Sequence, residues 1–186
     1  MGRRASGTPC SLGESSNQPG ELVMIVIRCE TGDDVKVDAD SLVGINLSRM
    51  NLHRALLEGQ VLRGADLSES ELRSAWLEDA CLENAKLTRA RLAACNASRA
   101  SFVRADLRDA MMRSGGFEEA DFSGADLRGA KVEGATFARA ILLGADLRCE
   151  GLERAELAGA RADTLTRWPD GFDPVSRGVS IQSAVD

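Results

Sequence analysis

An apolar residue returns every fifth position, without a gap, from Leu47 to Ala162. The run passes through Leu52, Leu57, Leu62 and Leu67 to Phe102, Leu107, Met112, Phe117, Phe122 and Leu127, and makes about 24 units. No single amphipathic element carries such a period. On an α-helix five residues turn through about 500°, so successive centres would spread around every side. On a flat strand an odd period would send alternate centres to opposite faces. Propensity alone would make this Ala-, Leu-, Glu- and Arg-rich chain helical; the period overrides it. A small residue, usually alanine, stands two places before most centres. In an extended segment residues two apart point the same way, so Ala and Leu share the inside and the residue between them points out. The two residues left over must turn a corner. Glycines at 59, 64, 124, 129, 134, 144 and 159, each two places after a centre, suit a corner with positive φ.

A stricter match returns after twenty residues. Ala-Asp-Leu recurs at 65–67, 105–107, 125–127 and 145–147. Four sides therefore close one circuit. The predicted fold is all-β, a right-handed quadrilateral parallel β-helix of about six coils, each rising about 4.8 Å. The motif of Ala, then Asp or Asn, Leu and two freer positions, followed from Ile45 to Ala162, resembles that of the pentapeptide-repeat proteins. The resemblance spans about two thirds of the chain and implies this same solenoid. The family hosts many roles, so fold alone names no function.

The flanks read differently. Residues 1–20 are almost without apolar content and are predicted to be a disordered leader. Its opening, with Gly2 and Ser6, matches an N-myristoylation pattern and is taken as a chance match in a polar tail. Residues 21–44 hold "LVMIVI", a turn-like "ETGDD" and "VKV", and are predicted to form a β-hairpin cap on the lower end. Met24 is an alternative start, which would leave residues 1–23 outside the native product. Residues 45–162 are the β-helix and 163–186 a C-terminal cap and tail. There "TRWPDGFDP" offers Trp168 and Phe172 as a lid over the last coil; it resembles the closing segment of some pentapeptide-repeat chains.

A search for chemistry finds little. The single histidine, His53, follows a centre and faces out, with no nucleophile and orienting partner near it in sequence. The five cysteines show no C-x-x-C spacing. Cys95 falls on the small inward position as a core filler, whereas Cys81 and Cys149 are expected outside or at a corner. Free thiols and the lack of a secretory signal or bilayer-length apolar run point to a cytoplasmic protein without membrane contact. Asp66, Asp106, Asp126 and Asp146 stack in one column, but Lys86 interrupts it and Arg108, Arg128 and Arg148 lie alongside. An ion-pair ladder is expected rather than a metal site, with outward Asp126 of small weight in stability. No cofactor motif and no catalytic residue are expected, and the chain is read as non-enzymatic.

Some relatives imitate the charge of DNA and bind type II topoisomerases. That reading, modulation of a gyrase-like enzyme, is the alternative here. It asks for a negative field along the rod, yet residues 45–162 carry 17 Lys and Arg against 18 Asp and Glu. Direct nucleic-acid binding has no basic stripe to support it. What remains is an outward apolar patch: Leu56 and Trp76, twenty residues apart, on one side, with Val61 and Cys81 on the next. Either the hairpin covers it or a protein partner of unknown identity docks there. The expected role is a protein-interaction or scaffold module, monomeric or weakly homodimeric.

Overall fold

The computed structural model describes residues 24–183. The leader at 1–20, residues 21–23 of the hairpin segment and residues 184–186 of the C-terminal tail lie outside the described residues. From Asn46 to Asp126 every outward residue pairs in parallel with the one twenty positions on, as in Asn46 with Asp66, Leu56 with Trp76 and Asp106 with Asp126. The local unit is built from three backbone bonds. The N–H of each centre donates to the outward residue of the next coil, Leu47 to the Asp66 carbonyl at 2.7 Å. The outward N–H donates back to the small residue below, Trp76 to the Ala55 carbonyl at 2.9 Å. Across each corner the small residue donates to the preceding centre, Ala55 to the Leu52 carbonyl at 3.1 Å.

That last bond closes a β-turn whose third residue has positive φ. The glycines predicted there do adopt it, Gly59 at 64° and Gly124 at 65°. So do fourteen residues that are not glycine, among them Arg49, Asp79, Ala94 and Arg139. Each strained N–H is bonded upward, Ala94 to the Arg113 carbonyl at 2.9 Å, so the coil above holds it in place.

The centres and small residues form one continuous core, from Leu47, Leu52 and Leu57 to Leu142, Leu147 and Leu157. Four phenylalanines fill its middle: Phe102 stacks on Phe122 at 4.8 Å and Phe117 on Phe137 at 5.4 Å, the two stacks meeting edge to face. Gly115 takes a small inward slot because a Cβ there would come within 2.6 Å of the Phe117 ring. Ser70 fills another, its buried hydroxyl donating to the Leu67 carbonyl at 2.7 Å.

Strands β1 (Met24–Ile27) and β2 (Val35–Asp38) pair antiparallel. The chain after β1 continues against the first coil: Cys29 bridges Ala55, and Leu56 donates to the Arg28 carbonyl at 2.8 Å. At the far end β3 (Arg161–Asp163) pairs parallel with β4 (Ser180–Gln182). Trp168 and Phe172 stack at 5.4 Å and pack on the core. One coil is irregular. Lys131 pairs with Glu150, nineteen positions on, and the chain recovers its register through Gly151 at φ 82° and a short 3-10 turn at Leu152–Arg154. This contraction moves Glu150 from an inward slot to the outside, where its side chain is 69% exposed, and it folds Cys149, expected at an open corner, into a buried position. No helix among the described residues is long and apolar enough to cross a membrane.

Candidate functional site

The outward Asp and Asn residues first serve the corners. Their Oδ1 accepts the backbone N–H two residues on: Ser68 to Asp66 at 3.0 Å, Arg108 to Asp106 at 3.2 Å, Arg128 to Asp126 at 3.1 Å, Ser98 to Asn96 at 3.2 Å. These are Asx turns that supply a partner the ladder does not. In three successive coils a guanidinium closes on the same carboxylate, Arg108 on Asp106, Arg128 on Asp126 and Arg148 on Asp146, each with a 2.6 Å contact. Hydrogen bonds from these arginines hold the three carboxyls below the usual aspartate range. Every carboxylate in that stretch of column is engaged by protein.

Nucleophiles are shielded. Burial pushes the Cys95 and Cys149 thiols up to about 12, far from thiolate formation. His53 is half-buried, its Nδ1 2.9 Å from the Arg73 carbonyl, and among the described residues no hydroxyl or thiol bonds to it. An open groove of about 700 Å³ runs beside Arg49, Glu71, Arg91 and Lys131. Most of its charges pair with one another, Arg49 with Glu69, Arg91 with Glu71 and Lys131 with Glu150.

The apolar patch divides. Leu56 and Trp76 pair side by side on one wall, each 38% exposed. The same wall continues upward through Asn96, Gly116, Thr136 and Glu156. Val61 and Cys81 pair on the next wall, Val61 half-buried. Cys81 corrects the expectation of an exposed thiol: it is buried and is not a free cysteine. Alternation gives the direction of its Cα–Cβ bond, whereas burial depends on what else lies against the sulfur. The hairpin does not cover Trp76. It lies below, with Arg28 opposite Leu56, and strand alternation turns Val26 and Met24, 44% and 60% exposed, toward the same side. The placement follows from the pairing of Arg28 and Cys29 with the first coil, which no sequence pattern reveals.

Comparison with known proteins places this geometry. A family described as "Pentapeptide repeats" matches residues 51–89, 85–114 and 117–148 in 8 copies. No curated protein matches the chain. Among solved structures, HetL from the cyanobacterium Nostoc, involved in heterocyst differentiation regulation, is 25% identical over 73% of this chain and 71% of its own, with a TM-score of 0.44. Rfr23 from the cyanobacterium Cyanothece is 23% identical over 76% and 77%, with a TM-score of 0.40. QnrB1, a plasmid-mediated fluoroquinolone resistance protein, is 19% identical over 78% and 88%, with a TM-score of 0.45.

Proposed function

The chain belongs to the pentapeptide-repeat family, and from that premise we propose that it is a non-enzymatic protein-interaction module whose docking face is the wall bearing Leu56 and Trp76. One observation carries the reading: two large apolar side chains stand exposed together at positions that the rest of the rod fills mainly with polar residues. Exposed apolar surface of this kind is favourable to cover, at about 25 cal/mol per Å². The buried thiols and a histidine bonded only to a backbone carbonyl favour binding over catalysis. The DNA-mimic alternative draws no support from the charge pattern, because the sign alternates along the rod. Residues 66–85 carry Asp66, Glu69, Glu71, Glu78, Asp79 and Glu83 against Arg73, while residues 86–105 carry five basic residues and no acid.

The test places a photo-crosslinking side chain at Leu56 and, as a control on the opposite wall, at exposed Lys86, in the full chain within its native host. Covalent adducts to protein are expected from position 56 and not from position 86. Equal yields, or none at either site, would refute the docking face. Salt-sensitive inhibition of gyrase supercoiling at micromolar protein would promote the DNA-mimic reading instead.

A further inference from the structure

The two edges of the docking wall carry opposite charge, and the order of their charges is self-complementary. The corners that lead into the wall hold Arg54, Arg73 and Arg113 on its three charged lower levels. The corners that lead out hold Glu58, then Glu78 and Asp79, then Glu118 and Glu119 on those levels. At the level between them the leading corner is Ala93–Ala94 and the leaving corner carries Arg99, so no like charges meet. One level higher the signs invert together, Glu133 leading in and Arg139 leading out. These side chains are exposed: Arg54 is 51%, Arg73 55%, Asp79 56% and Arg139 62% accessible. Their existing ion pairs are therefore surface pairs, able to share a partner. Glu58 and Glu118 have no ion pair among the described residues.

We infer that the occupant of this wall is a second copy of the chain, set face to face about a two-fold axis parallel to the rod. That operation exchanges the two edges while keeping every level at its height. Arg54 then faces Glu58 of the other copy, Arg73 faces Glu78 and Asp79, Arg113 faces Glu118 and Glu119, and Glu133 faces Arg139. Leu56 and Trp76 meet their own counterparts near the axis, and Asn96 can exchange amide hydrogen bonds with itself. An antiparallel pairing fails the same test, since it sets arginine edge against arginine edge and acid against acid. A strand from another protein is disfavoured because the wall's backbone is spent on its own ladder, Trp76 donating to Ala55 and accepting from Leu57. Of the charged residues on the wall, Arg28 and Glu156 meet their own counterparts on the axis; both are exposed and sit at its two ends. The inference rests on the interaction reading above and names its partner. A wall one strand wide is below the roughly 1,200–2,000 Å² that stable interfaces bury, so the dimer is expected to be weak.

Sedimentation equilibrium of the full chain should show a monomer–dimer equilibrium with micromolar dissociation. In a Trp168→Phe background, Trp76 emission should shift to the blue as concentration rises. Arg54→Glu and Glu58→Arg should each weaken self-association about ten-fold, since each sets like charges together at one level. Mixing the two variants should restore it, because their edges are then complementary, and loss of folding cannot mimic that recovery. A strict monomer at several hundred micromolar would overturn the inference, as would variants that dimerise like the parent. So would self-association seen only after removal of residues 1–22, which would assign the wall to the chain's own leader. The crosslinker at Leu56 separates the two levels of the reading. Dimer-sized adducts of this chain support both; adducts with another protein alone keep the docking face and refute the second copy; no adduct refutes both.

Discussion

Ala94 has a methyl group and nothing else to favour a left-handed conformation, yet its φ is 54°. The left-handed region costs an L-residue about 1–2 kcal/mol, and the bonds above and below impose it. Ala94→Gly should therefore raise stability by about 0.5–1 kcal/mol, net of the glycine's greater freedom when unfolded. Ala93→Gly, one residue earlier and without positive φ, should lower it; urea melts that show both falling would refute the strain. Asp126 carries a second correction at this scale. It points outward, as alternation requires, but its Oδ1 holds the Arg128 N–H, so Asp126→Ala should cost about 0.5–2 kcal/mol, as lost caps do. Asp126→Asn keeps the acceptor and should cost less; equal losses would remove the capping role. Because Asp106, Asp126 and Asp146 titrate below their unfolded value, the stability they add is complete above about pH 5. It is lost as pH falls through their lowered values, and the Asn variant should melt with a shallower acid limb. Seven glycines made the corners legible in the sequence. The fourteen other residues in the same conformation were not, since the ladder rather than the side chain places them there.

At the scale of elements, the apolar run, the turn-like stretch after it and "VKV" marked β1 and β2 in advance, and a glutamate at 150, two places before Leu152 where the repeat asks for a small residue, marks a disturbance at 148–152. The form of that disturbance, a circuit of nineteen residues repaid by a 3-10 turn, depends on carbonyl partners that no pattern of residue types reveals. The docking wall was half legible. Parity put Leu56 and Trp76 outside, while the chain that runs below them was placed only by the pairing of Arg28 with Leu56, a register set in three dimensions. The aromatic pair at the far end was visible as bulk where the repeat offers none. Its stacking predicts a measurable role: Trp168→Ala should speed amide exchange in β3 and β4 by at least ten-fold while leaving residues 86–105 unchanged. Exchange that rises equally everywhere, or nowhere, would show that the pair does not protect this end.

For the whole molecule, the charge alternation between successive coils acts on their order. Arg49–Glu69, Arg63–Glu83, Arg99–Asp79 and Arg139–Glu119 all join residues twenty apart, each modest alone but together favouring one register over a slipped one. The same arrangement of neighbours has a mechanical consequence. Among the described residues the backbone ladder joins each circuit to the circuits directly above and below it, so tension applied to the two ends of the rod loads one seam at a time. Under such a load the rod should come apart like a coil of rope paid out turn by turn. Each release of twenty residues should lengthen the tether by about 60–70 Å. A sawtooth of evenly spaced ruptures in a force–extension trace is the expected record, and a single all-or-none extension would show that the seams break as one.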